Sequence, residues 1–257
     1  MTERITSRRN PLLEQVRRLD TAALRRKAGV FLCDSPKLVG EAVQHGVSVQ
    51  CVIAADGVAF PERLPENVRR VTVPADVMAS ISPMPTPQGM LALCALPDMA
   101  APARLSPGRY VVLDGVQDPG NVGAVLRTAD AFSCTGALLL PGCADPYGPK
   151  TLRAAMGAVF RLPLYTVGLE DLPRLLADAG LPLYGTALRH DTVDVRQRDL
   201  RRCALVIGSE GRGVSAEVLA LCRETLRIPM SSHCESLNAA AAAAVLLWEA
   251  YRAEEGN

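Results

Sequence analysis

A chain of 257 residues with 49% hydrophobic and 21% charged side chains has enough apolar material for a packed core, which excludes a disordered chain. It exceeds the roughly 100–200 residues of a usual domain, so one large or two modest domains are expected. The formal net charge of +1 leaves the choice of partner to how charge is distributed.

Residues 1–30 hold eight basic side chains (Arg4, Arg8, Arg9, Arg17, Arg18, Arg25, Arg26, Lys27) against Glu3, Glu14 and Asp20. Such an excess can follow a phosphate backbone, or simply solvate a helix face. The start, MTERITSRRN, has no apolar segment and does not read as a signal peptide. A helix is expected over 10–28 after Asn10-Pro11, then a strand at 30–34 and a helix opening at Ser35-Pro36. Strands at 49–55, near 71 and at 89–96 complete a small α/β domain over 1–97. Three prolines and little periodicity mark the stretch that follows, with 98–107 as the linker.

Over 108–257, strands at 109–113, 136–140, 182–188, 203–208 and 225–229 alternate with helical patterns at 121–132, 149–158, 169–179, 215–223 and 236–252. Short, continuously apolar strands alternating with helices imply a parallel sheet covered on both faces. Ligands of such sheets bind beyond the carboxyl ends of the strands, so the loops there are where chemistry is sought. The longest apolar run, Ala239–Trp248, is too short to span a bilayer, and a soluble, cytoplasmic protein is expected.

Three of these loops stand out. In LDGVQDPGNVGAVLRTADAF (113–132), Asn121 is positioned to cap the next helix. Arg127 can lean back over Gly123 toward the loop, or pair on the surface with Asp130 or Asp118. In LVIGSEGRGVS (205–215), a strand runs into a glycine-rich turn that is not G-x-G-x-x-G. Glu210 within it would repel a pyrophosphate and suits a sulfonium cation or a ribose hydroxyl; the bland alternative is a plain turn. In 228–252, Ile228-Pro229-Met230 closes a strand and Ser236-Leu237-Asn238 opens an alanine-rich helix.

Eight cysteines, none in a C-x-x-C pair, mostly in apolar contexts, read as core thiols in a reducing compartment. No metal site is expected. His233-Cys234 offers two ligands only, and His45 and His190 lie outside the three loops.

Taken together and in this order, N-x-x-x-x-x-R, G-S-E-G-x-G and I-P-M followed by S-L-N resemble the signature motifs of the SpoU/TrmH family of RNA 2′-O-ribose methyltransferases, within the SPOUT superfamily. The resemblance covers the second half. ITSRRNPLLEQVRRL, FLCDSPKLVGEAV and TPQGMLALC resemble, more weakly, the substrate-binding domain that often precedes it. It implies a C-terminal trefoil knot, S-adenosyl-L-methionine as cofactor, an RNA substrate (ribosomal in preference to transfer RNA) and a homodimer. It also implies cofactor contacts near Thr186, Gly208, Gly211, Ile228, Met230 and Leu237. Arg127, Asn121, Glu210, Ser236 and Asn238 would form the reaction site, with Arg127 nominated as base. A guanidinium normally stays protonated, so a phosphate or oxyanion clamp is the alternative role. Where the family has a glycine between Met230 and Ser236, this chain has Ser-Ser-His-Cys-Glu, and alanines replace its V-S-V after S-L-N. A catalytically silent ribosome-assembly factor on the same fold is the competing reading. A nicotinamide oxidoreductase is disfavoured because no G-x-G-x-x-G follows an early strand.

Overall fold

The computed structural model describes residues 2–187, 192–231, 233 and 236–255. It divides into two compact units, Met1–Asp98 with Asp145–Phe160, and Met99–Ala144 with Arg161–Asn257. The sequence divides once, near 98–107; the structure adds the excursion of Asp145–Phe160, which packs with the first unit.

The first unit runs β1 (Thr2–Arg4), α1 (Pro11–Arg17), α2 (Ala22–Ala28), β2 (Val30–Cys33), α3 (Pro36–Gln44), β3 (Val49–Ala55), β4 (Arg69–Val73), α4 (Ala75–Ile81) and β5 (Met90–Ala95). The sheet order is β1-β4-β3-β5-β2, with β5 antiparallel to both its neighbours. Asn10 and Ser35 cap α1 and α3 ahead of prolines, as the sequence indicates. The expected single helix over 10–28 is two. Leu19 turns into the core, and Thr21 accepts from the Leu24 amide to start α2 afresh. Leu13, Val16, Ile53, Val71, Met78 and Leu91 form the core beneath.

The chain continues through β6 (Arg109–Asp114), α5 (Pro119–Ala131) and β7 (Gly136–Leu139) in the second unit. The excursion then adds α6 (Pro149–Ala155) and a 3-10 turn (Ala158–Phe160) to the first. The second unit is completed by β8 (Leu164–Thr166), α7 (Leu172–Ala179), β9 (Leu183–Thr186), β10 (Val193–Asp194), β11 (Cys203–Gly208), α8 (Ala216–Leu221), β12 (Glu224–Arg227) and α9 (Ala239–Glu255). Its seven strands, ordered β10-β12-β9-β11-β6-β7-β8, pair in parallel throughout, as the apolar strand runs predict. β6 and β11 are buried at nearly every residue. Buried Arg109 donates to the carbonyls of Ala250 and Phe132, at 2.8 Å each. It thereby satisfies acceptors near the ends of α9 and α5.

The thiols follow the sequence reading: Cys33, Cys51, Cys94, Cys134 and Cys203 are buried, and burial pushes Cys203 up to about 12. Cys143 and Cys222 are half-buried, while Cys234 and His190 lie outside the described residues. His45 sits 3.6 Å from Glu41 on α3.

Candidate active site

Parallel pairing brings the carboxyl ends of β12, β9, β11 and β6 side by side at one edge of the second sheet. A cleft of about 320 Å³ opens there, lined by Thr186 and Ala187 after β9, Gly208, Ser209 and Glu210 after β11, and Arg227, Ile228 and Met230 at the end of β12. Ser236, Leu237, Ala239, Ala242 and Leu246, leading into α9, close it.

Each loop has a local reason for its path. The turn after β11 returns on itself through paired hydrogen bonds between Ser209 and Gly213, 3.0 and 2.9 Å. A β-carbon at Gly208 would overlap the Gly213 carbonyl and the Val214 nitrogen, so this position admits only glycine. Gly213 takes φ +69°, the left-handed region. Asp114, ending β6, accepts from the Ser215 amide at 2.7 Å and ties that loop to its neighbouring strand. The Thr186 hydroxyl donates to the Val206 carbonyl at 2.9 Å and holds the ends of β9 and β11 together.

The sequence makes Asn121 the helix cap; the structure gives that role to Asp118. Its carboxylate accepts from the Asn121 amide at 2.8 Å, and Pro119 takes the first helical position. The side chain of Asn121 is thereby free for another task. It donates to Glu210 Oε1 at 2.7 Å and accepts from Asn238 Nδ2 at 3.1 Å. Asn238 Oδ1 in turn accepts from the Ala240 amide at 2.9 Å, capping α9. The helix therefore starts at Ala239, so Ser236 and Leu237 stay in the loop that faces the cleft. Three residues from three separate loops thus form one hydrogen-bonded chain ending on the Glu210 carboxylate.

Arg127 is exposed on α5 and takes part in neither surface pair that the sequence allows. Asp118 caps the helix, and Asp130 accepts from Arg161 Nε and Nη2 at 2.9 and 2.8 Å. Arg127 has no hydrogen-bond or ion-pair partner among the described residues. Of the expected cofactor contacts, Thr186, Gly208, Ile228, Met230 and Leu237 line the cleft. Gly211 does not, and nothing lies within 4 Å of where its β-carbon would be. Ser236 and Glu210 also line it; Asn121 and Asn238 reach it through Glu210. Arg227 is a lining residue the sequence reading passes over, although it immediately precedes Ile228-Pro229-Met230. Among the described residues no group of three metal-ligating side chains occurs.

The walls are chemically simple. Ile207, Leu226, Ile228, Leu237 and Leu246 supply apolar surface, and among the described lining residues only Glu210 and Arg227 are charged. Such a cleft suits an aromatic base carrying a compact, charged tail, and it fits S-adenosyl-L-methionine.

Comparison with known proteins agrees. Residues 108–248 match the SpoU rRNA Methylase family, and residues 10–92 match an MRM3-like substrate binding domain. The 23S rRNA (guanosine(2553)-2′-O)-methyltransferase RlmP of Bacillus subtilis is 33% identical over 96% of this chain and 98% of its own length. An AdoMet-bound rRNA methyltransferase from Sinorhizobium meliloti superposes with a TM-score of 0.86 at 28% identity, covering 98% of each chain. The SpoU methyltransferase AviRb from Streptomyces viridochromogenes, in complex with AdoMet, gives 0.84 at 29% identity, covering 97% of this chain and 100% of its own.

Proposed function

The chain belongs to the SpoU rRNA methylase family, and from that premise we propose that it transfers a methyl group from S-adenosyl-L-methionine to a ribose 2′-hydroxyl of ribosomal RNA. The observation that carries this reading is the chain Asn238–Asn121–Glu210, which joins the three motif loops at the cleft through bonds of 3.1 and 2.7 Å. A plain strand-to-helix turn would have no use for that convergence.

When bound, S-adenosyl-L-methionine supplies an electrophilic methyl on a sulfonium. The protein must hold the ribose oxygen in line with it, and alignment of this kind is worth up to roughly 7–11 kcal/mol. On our reading Thr186, Gly208, Ile228, Met230 and Leu237 hold the cofactor, and Gly211 has no part in holding it. Glu210, fixed by Asn121, presents a carboxylate to the cationic centre. Ser236 offers a hydroxyl from the loop ahead of α9. Arg127 is a clamp rather than a base, because a guanidinium stays protonated in proteins. It holds a phosphate next to the reacting ribose and stabilises the negative charge that develops on the 2′-oxygen as the hydroxyl proton passes to solvent water.

We further propose a homodimer, with the C-terminal trefoil knot that the family resemblance implies. The dimer is supported by an apolar patch on α9. Trp248 is 48% and Val245 40% exposed, and the Trp248 ring packs at 5.5 Å on Phe132 and 6.3 Å on Tyr251. Exposed aromatic surface of this kind marks protein contacts. No helix among the described residues is long and apolar enough to cross a membrane, and a cytoplasmic location follows from the ribosomal substrate.

The test is a map of 2′-O-methylated positions on ribosomal and transfer RNA from cells with and without the gene. One ribosomal position should lose its methyl group without it and regain it when the purified protein and cofactor are added. Identical maps in both strains would sink the assignment.

A further inference from the structure

The two charges in the cleft stand at opposite ends. Glu210 follows β11, and Arg227 ends β12, with β9 between them in the sheet. Two strand spacings put about 10 Å between those strand ends. Arg227 makes no hydrogen bond to the partner its position offers, although its charge still acts on that carboxylate. Its register neighbour across the ladder is Asp194, but Asp194 is already taken by Arg196. The Arg196 backbone amide and Nε reach Oδ1 at 3.0 Å each, and Nη2 reaches Oδ2 at 2.7 Å. Arg227 is left with no hydrogen bond or ion pair among the described residues, and it lines the cleft beside Leu226 and Ile228.

The methionyl end of the cofactor carries a cationic sulfur and, three carbons further on, a carboxylate. With the sulfonium beside Glu210, where the chain from Asn121 and Asn238 ends, the carboxylate falls on the β9–β12 side. Among the described residues, the only positive one lining the cleft there is Arg227. We propose that Arg227 is the carboxylate anchor of S-adenosyl-L-methionine, and that it makes the site selective for the carboxylated cofactor over sulfonium nucleosides without that group. The neutral adenine is left to the apolar walls. This inference rests on the cofactor assignment above.

Calorimetric titration of the full chain with S-adenosyl-L-methionine and with its decarboxylated analogue tests it. The wild type should bind the decarboxylated analogue about tenfold more weakly than the cofactor, the scale of one charge-assisted hydrogen bond. Arg227→Gln should weaken cofactor binding about tenfold and leave the analogue unchanged, and Arg227→Lys should recover part of the loss. Equal weakening of both ligands in Arg227→Gln, or no change for the cofactor, overturns the proposal. Failure of the wild type to bind either ligand overturns the cofactor reading instead.

Discussion

Arg25, in the first unit, is 4% exposed and gives three hydrogen bonds: Nε and Nη2 to Asp145 at 3.0 and 2.5 Å, and Nη1 to the Leu19 carbonyl at 2.7 Å. Arg127, in the second, is exposed and gives none among the described residues. The contrast extends around each. In the first unit Arg4 bonds Asp56, Arg8 bonds Asp76, Arg69 bonds Glu3, and Arg153 bonds the buried Asp34. In the second, Asp118, Asp130 and Asp194 are committed to donors other than Arg127 and Arg227. A guanidinium surrounded by its own acids serves the fold. One whose neighbouring acids are already taken is available to a ligand.

The largest effect that comparison predicts is on turnover. Arg127→Ala should lower methylation of ribosomal RNA by a factor of about a thousand, the upper range for losing one preorganised charge stabiliser. Cofactor affinity and melting temperature should not change, because no hydrogen bond or ion pair among the described residues is lost. Single-turnover kinetics beside calorimetry and a thermal melt would decide it. Near-wild-type turnover, or a lower melting temperature, would move Arg127 into the structural class.

Next comes the converse substitution. Arg25→Ala leaves Asp145 Oδ2 and the Leu19 carbonyl without their donor. Removing one partner of a buried pair costs about 3–5 kcal/mol. Urea denaturation should show a loss of about 3 kcal/mol, and the Arg25→Ala/Asp145→Asn double variant should recover part of it. A change under 1 kcal/mol would mean that the pair is solvated and that burial misleads here.

The first two motif loops are legible because each follows a strand that announces itself by continuous apolarity, whereas the third follows the mixed ETLR. CALVIG and RYVVL leave no room for another assignment, and parallel pairing then carries their ends to one edge. What the sequence hides is short or depends on pairing. β1, β8 and β10 have three, three and two residues, too few to show a period. Asp118 is readable as the α5 cap from the Asp-Pro order, since proline favours the first helical position; Asn121 has the same capping propensity but lies inside that proline. Arg227 could not be read at all. Its availability depends on Arg196 having taken Asp194 across the ladder, and no spacing in the sequence records that.

The smallest predicted effect probes that last pairing. Asp194 is held down to about 2, chiefly by the side-chain hydrogen bonds from Arg196 and then by the Arg196 amide. An unfolded aspartate titrates near 3.9. The folded value lies below the unfolded one, so the contribution is complete above about pH 4 and fades as the pH falls toward 2. Asp194→Asn can still accept from the Arg196 amide but carries no charge. In denaturation measured between pH 4 and pH 2, the wild type should lose stability more steeply than this variant, and the two slopes should converge above pH 4. Parallel slopes across the whole range would mean that Arg196 does not hold Asp194 in solution. Asp194 would then be free for Arg227, which would become a structural arginine of the kind found in the first unit.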